Sequence, residues 1–373
     1  MTSNVSVKLL QQLKREYQKE NVSALAGAGL SKNAIPTFPS WSELLLPIVE
    51  EMYRSEFGKL LSDMATDPDY AKMDIGKRKR RVCEELLYKY GNLEVVSEYI
   101  RRRGIGHESI DAYIEEHIHP AKKAPRNKWK CGSVTYTKRE LETHIELLKC
   151  DKFRNIYTTN YDNLLEFTQE FSSMPDKLRV VTSETTLSDT SSNRAIVKLH
   201  GDISQSTVEK YEFDGDKNLK YIIAKEDYDT YMAKHQGFSY LMRLAMLQGR
   251  FCLIGFSGTD PNYMLWLQWM KDVMDKAIET ETRIHSRGKG AKEVPEKRVY
   301  LISAFEYIPE EATELFYKNH HVGVIDLTKA EVQNELFGST KSSSGGVTYT
   351  TDATVLLQQF FRYLQEGQIR ICG

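Results

Sequence analysis

Val22-Ser23-Ala24-Leu25-Ala26-Gly27-Ala28-Gly29-Leu30-Ser31 is the stretch on which the fold turns. Five uncharged residues run into a corner with two glycines, which reads as a buried strand ending in a tight turn, with helical periodicity beginning some residues later. Glycines let a backbone approach a diphosphate closely, and the amides of such a turn can donate to its oxygens. Lys32 stands where the third glycine of the dinucleotide fingerprint would be, so the turn is also readable as a plain strand-to-helix corner.

Outward from this turn the same rhythm recurs. Phe153 to Thr158, Ala195 to Leu199, Phe251 to Ile254, Val299 to Ile302 and Val322 to Ile325 are short apolar runs bounded by turn residues. Helical stretches follow several of them, for example Tyr161 to Phe171 and Asn262 to Ile278, which predicts an α/β fold with a doubly wound parallel sheet. Most of Trp41 to Cys150 has helical spacing, as in Leu44, Leu45, Ile48, Val49 and Met52. A crossover of that length predicts an inserted, mainly helical subdomain rather than a loop. The expected organisation is therefore a core of residues 1–45 and 150–335, an insertion of residues 46–149, and a flexible Gly/Ser loop with a C-terminal helix over residues 336–373, the helix at Ala353 to Gln365.

The chain of 373 residues is 40% hydrophobic and 28% charged, the profile of an ordinary globular protein. Lysine and arginine number 51 against 52 acidic residues, a net charge of -1, so no whole-chain field draws nucleic acid or an anionic membrane. Basic residues do cluster at Lys77 to Arg81, Arg101 to Arg103 and Lys122 to Lys130, with Trp129 inside the last run. They read as solvated helix faces balanced by Glu84, Glu85, Glu94, Glu98, Glu115 and Glu116; without a nucleic-acid motif, no such partner is expected. No run reaches the roughly 18 apolar residues of a membrane span, and the expected location is cytoplasmic. Five scattered cysteines without a CxxC give neither a disulfide framework nor a zinc ribbon, and no metal site is expected.

Four motifs follow predicted strands, at the carboxyl edge where open α/β sheets bind ligands. The first is Gly27-Ala28-Gly29-Leu30-Ser31, trailed by the aromatic loop Ile35-Pro36-Thr37-Phe38-Pro39, which could cover a flat ring or simply cross the sheet edge. In Thr158-Thr159-Asn160-Tyr161-Asp162, Asn160 and Asp162 offer an amide and a carboxylate, and would serve equally as helix caps. Lys198-Leu199-His200-Gly201 places an imidazole at a strand end with room beside it, where it can take a proton from a ribose hydroxyl or a water. Gly255-Phe256-Ser257-Gly258-Thr259-Asp260-Pro261-Asn262 could hold a second phosphate or ribose, or start a helix.

The ordered set GAGxS, IPxF, TTNYD, KLHG and GFSxxDPN resembles the sirtuin superfamily, specifically bacterial members that act as NAD hydrolases in anti-phage defence. The resemblance implies that Gly27, Ala28, Gly29 and Ser31 hold the diphosphate and nearby ribose of NAD+. It further implies that Phe38 covers the nicotinamide, Gly255 and Ser257 touch the adenosine half, and Asp162 binds the carboxamide. Asn160 would position water and His200 would be the catalytic base. Two departures bear on the reaction: Pro39 follows Phe38 where protein deacylases carry arginine, and the cysteine-paired ribbon beside their peptide cleft is missing. Hydrolysis of NAD+, as substrate and without a metal, is thus expected ahead of deacylation or ADP-ribosyl transfer, or of a non-catalytic NAD-binding subunit. The same resemblance implies a latent homo-oligomer, with a HerA-type ATPase as a conceivable partner.

Overall fold

The structure is a computed structural model that describes residues 5–104, 108–188, 192–204, 221–256, 264–269, 271–272, 275–276, 297–304, 321–338 and 349–366. Helix α1 (Val5–Gln18) leads into strand β1 (Val22–Ala26), and α2 (Ala28–Ala34) begins directly after Gly27. That start is earlier than the sequence suggested, because seven residues are too few to display a helical period. Next come α3 (Trp41–Met52), α4 (Arg54–Thr66), α5 (Ile75–Tyr90), α6 (Asn92–Arg103) and α7 (Glu108–His117). Strands β2 (Ala121–Ala124), β3 (Lys128–Cys131) and β4 (Val134–Tyr136) follow, then α8 (Glu142–Leu148), β5 (Phe153–Thr158) and α9 (Leu164–Phe171). The chain continues with β6 (Arg179–Val181), β7 (Ala195–Lys198), α10 (Lys225–Lys234), α11 (Gln236–Gln248) and β8 (Arg250–Ile254). Strands β9 (Val299–Ser303) and β10 (Val322–Asp326) and helices α12 (Ala330–Phe337) and α13 (Ala353–Gln365) come last.

Seven strands form one sheet in the order β10-β9-β8-β1-β5-β7-β6, and all neighbours run parallel. β1, β8 and β9 are buried along their whole length. Their side chains alternate between two apolar layers, which is why these strands read as continuous apolar runs rather than as alternation. Ala24, Cys252, Ile254, Tyr300 and Ile302 face the layer of α1 and α13, with Leu10, Leu13, Phe360 and Phe361. Leu25, Phe251, Leu253, Val299 and Leu301 face the opposite layer, with Phe238, Met242 and Met246 of α11. Helices thus cover both faces. The chain leaves β1 toward β5 and later returns to β1's other flank as β8, making the β1/β8 boundary the topological switch point where such sheets bind ligands.

A third apolar cluster joins α3, α5, α6 and α7 to α9 through Leu45, Val49, Val82, Leu86, Val96, Ile114, Leu164 and Phe167. The region is less uniformly helical than its spacing suggested, since β2, β3 and β4 form a small antiparallel sheet inside it. α3 also straddles residue 45, the expected limit of the insertion. The helix expected from Tyr161 begins at Leu164, because Asp162 Oδ1 accepts from Leu164 N at 3.0 Å and uses the preceding residues as a cap. Of the Gly/Ser loop expected before α13, residues 339–348 lie outside the described residues; of the helix expected from Asn262 to Ile278, residues 264–269, 271–272 and 275–276 are described and are helical. Among the described residues no helix is long and apolar enough to cross a membrane.

Candidate active site

The four motif-bearing strands are contiguous in the order β8-β1-β5-β7. Ala26 pairs with both Ile254 and Thr158, and Thr158 pairs with Lys198. Counting two residues beyond these partners puts Phe256, Ala28, Asn160 and His200 in one row along the carboxyl rim. The sheet brings together motifs more than two hundred residues apart in the chain. Ser257 and the remainder of its motif through Asn262 lie outside the described residues.

On the β8 side the rim is built of backbone. Gly27 N donates to Ile254 O and Gly29 N donates to Gly255 O, each at 2.9 Å. A Cβ on Gly27 would sit 2.6 Å from Gly255 O, and one on Gly29 would sit 2.9 Å from Gly255 Cα. Gly255 itself has φ +60°, a conformation that side chains make costly. These glycines are explained first by one another: the two turns interlock so closely that a side chain on any of the three would clash. Ala28 and the first turn of α2 remain at the switch point.

On the β5 side the rim is built of side chains. Thr158 Oγ1 donates to Ala26 O and accepts from Asn160 N, both at 3.0 Å, tying the Asn160 backbone to the end of β1. Asn160 Nδ2 donates to Ser31 Oγ at 3.0 Å, and Ser31 Oγ donates to Asp162 Oδ2 at 2.7 Å. With Nδ2 committed to Ser31, Oδ1 is the acceptor that Asn160 retains for other chemistry. Both oxygens of the buried Asp162 carboxylate are engaged, one by Ser31 and one by Leu164 N. Asp162 thus links Ser31 to the start of α9. Phe38 is buried in the cluster with Ile35, Leu44 and Tyr161, so it is part of the wall between sheet and insertion.

His200 is 2% exposed at the end of β7, and its neighbour Gly201 takes φ +106°. The ring meets Tyr228 and Tyr231 edge-on, with centroids 5.5 Å and 6.0 Å away. Its loop is pinned on several sides: Leu199 N donates to Thr158 O at 2.9 Å, Ile222 N to His200 O at 3.1 Å, and Tyr231 Oη to Leu199 O at 3.0 Å.

Several residues of the site were not singled out in the sequence. Lys198, 1% exposed, donates to the backbone carbonyl of Asp162 and lies 3.3 Å from Glu166 Oε1 and 3.6 Å from Asp202 Oδ1. It joins the Asn160 loop, α9 and the His200 loop through one ammonium. Burial alone would lower its pKa, but Glu166 and Asp202 raise it above the ordinary lysine value, so it stays charged. Burial pushes the Glu166 carboxyl up to about 7, against the pull of Lys198. His144 of α8 is also buried; desolvation lowers its pKa to about 4, with Asp162 opposing the shift, so its ring is neutral near pH 7. Lys198 stood in plain view two residues before His200, whereas His144 had no local signal beyond a lone histidine on a short helix.

Residues 154–320 match the family model described as SIR2-like domain. The chain is 21% identical over 274 residues to the protein named NAD(+) hydrolase ThsA of Bacillus cereus (strain MSX-D12), covering 73% of this chain and 43% of that protein. Against the Defense-associated sirtuin 2 of Bacillus subtilis it is 25% identical over 199 residues, covering 48% of this chain and 17% of that protein. The chain thus spans less than half the length of either relative. The SIR2-like match begins within β5 and includes Asn160, Asp162, His200 and Gly255, while β1 and its glycine turn precede it and join it through the sheet.

Proposed function

We propose that this SIR2-like chain hydrolyses the nicotinamide-ribose bond of NAD+ to nicotinamide and ADP-ribose, as a latent defence effector that depletes the cofactor. The observation that carries the reading is the chain of hydrogen bonds Asn160 to Ser31 to Asp162 beside the β1/β8 switch point, in one rim row with His200. A relative named for NAD+ hydrolysis supports it.

Nicotinamide in NAD+ is a cationic leaving group. When the C–N bond breaks, its electron pair returns to the ring nitrogen, nicotinamide departs neutral, and positive charge spreads over the ribose. Asn160 Oδ1 can accept a hydrogen bond from water and aim its lone pair at that carbon without becoming charged. The water oxygen forms the new C–O bond, and its surplus proton passes to His200 and on to solvent. Ser31 and Asp162 hold the Asn160 amide in the orientation this requires. Ala28, Gly29 and Gly255 would offer the diphosphate and adenosine a glycine-lined floor.

Incubation with NAD+ followed by chromatography of nicotinamide and ADP-ribose tests the reading. Asn160→Ala and His200→Ala should each lose at least about 100-fold in turnover. An active wild type with both variants fully active would overturn the site. An inactive wild type that binds neither NAD+ nor ADP-ribose by calorimetry would overturn the function.

A further inference from the structure

Of the three basic clusters, two make ion pairs within the fold. Lys79 contacts Glu50 at 3.0 Å, Arg80 contacts Glu43 at 3.0 Å, and Arg81 reaches Glu84. Arg102 contacts Glu98 at 2.7 Å, Arg103 contacts Glu51 at 2.9 Å, and Arg101 also pairs with Glu98. The third cluster differs. Among the described residues, Lys122, Lys123, Arg126, Lys128 and Lys130 are all exposed and make no ion pair. Nor do they lie on a helix, as the sequence reading expected; they cover the β2-β3-β4 sheet.

Register fixes their arrangement. Lys122 lies directly opposite Lys130, and Ala124 opposite Lys128, so Lys122, Lys128 and Lys130 share one face of the sheet. Like charges directly opposite on neighbouring strands repel, and among the described residues no carboxylate pairs with them. The platform is nevertheless rigid. On its other face Trp129 is fully buried, donates from Nε1 to Thr137 O at 2.7 Å, and stacks on Tyr136 at 4.6 Å. At its root, Asn163 Oδ1 accepts from Ala121 N at 2.7 Å. A fixed surface holding repelling ammonium groups is complementary to a polyanion of regular charge spacing.

We infer that this face of the β2-β3-β4 sheet binds the phosphate backbone of a nucleic-acid duplex, independently of base sequence. Lysine ammonium groups act as point charges on single phosphate oxygens and read no base edges, which is why the contact is independent of sequence. Trp129 is buried and Tyr136 is stacked upon it, so the bases of a single strand would find no free aromatic platform. Val134 is the large apolar side chain exposed on these strands, too little for insertion into a membrane interface.

The test is fluorescence anisotropy of a short, labelled, mixed-sequence duplex titrated with the full chain over a series of salt concentrations, without NAD+. Four or five phosphate contacts should give a slope of log affinity against log salt of about -4. Lys122→Gln/Lys128→Gln/Lys130→Gln should weaken binding at least about tenfold and reduce that slope by about 2.7, at 0.9 per lysine. Lys122→Arg/Lys128→Arg/Lys130→Arg should keep both. Arg101→Gln/Arg102→Gln/Arg103→Gln, an equal change of charge in a paired cluster, should leave affinity and slope as in the wild type. Absence of salt-dependent binding, equal loss in the two glutamine variants, or tighter binding to phosphatidylserine vesicles or polyglutamate would overturn the inference.

Discussion

The two flanks of β1 build the rim by different means. Toward β8, backbone meets backbone: Gly27 and Gly29 hydrogen-bond to Ile254 and Gly255, and the Phe256 ring packs against Gly27. Toward β5 and β7, side chains do the joining, through Thr158, Ser31, Asn160, Asp162 and the buried Lys198. The first join is steric and cannot absorb an added atom. The second is electrostatic and oriented, so it tolerates changes of shape better than changes of charge. Under the proposed function, the close-packed join would lie beneath the bulk of the dinucleotide and the polar join would face the bond that breaks.

The largest effect should come from the charge at the centre of the polar flank. Lys198→Met leaves Glu166 and Asp202 buried without their cation, and should cost about 3–5 kcal/mol in urea unfolding. Adding Glu166→Gln should recover part of that loss, and if the double variant is no more stable than the single one, Lys198 is not serving as the counter-charge. On the steric flank, Gly255→Ala puts a Cβ 2.7 Å from Gly29 C at φ +60°. Left-handed strain and overpacking together predict a loss of about 2–4 kcal/mol by thermal melting. An unchanged melting temperature would mean that the turns do not interlock.

This contrast also explains what could be read from the sequence. Strands β1, β8 and β9 were legible because burial on two faces writes an unbroken apolar run, and the glycines stood out because few positions require two of them. β6 was not, being only three residues long. β2 and β3 were hidden by lysines on their open face, although the turns at Arg126 and Asn127 (φ +60° and +55°) and at Gly132 gave a signal in Pro125-Arg126-Asn127 and Gly132-Ser133. Asn160 and His200 could be picked out because each follows a strand. The partners that hold them could not: Ser31 and Asp162 lie 131 residues apart, and Glu166 and Lys198 meet only after β7 has paired with β5.

Acid should separate the flanks as well, because the backbone join does not titrate. His144 and His235 have their pKa values lowered by desolvation from 6.5 to about 4, so each is neutral in the fold and takes up a proton on unfolding. The sign follows directly: their stabilising contribution is complete above pH 6.5 and is lost as pH falls toward about 4. Each contributes on the order of a few kcal/mol at roughly 1.4 kcal/mol per pKa unit. Urea midpoints measured down this range should therefore decline, and the decline should be shallower in His144→Asn. An equally steep decline in that variant would remove His144 from the account.

Ser31→Ala should have the smallest effect on stability and is the sharpest probe of the polar flank. It deletes the hydroxyl that accepts from Asn160 and donates to Asp162, a loss of about 1–2 kcal/mol for one buried pair of hydrogen bonds. Under the proposed chemistry the kinetic loss should exceed this and fall on kcat, because substrate contacts persist while the Asn160 amide is free to rotate away from the water it aims. A rise in KM with kcat unchanged would instead make Ser31 a binding group for the dinucleotide. The two outcomes divide the rim differently: in one Ser31 belongs with Asn160 and the reacting carbon, and in the other it belongs with Gly27 and Gly29 and the floor beneath the diphosphate.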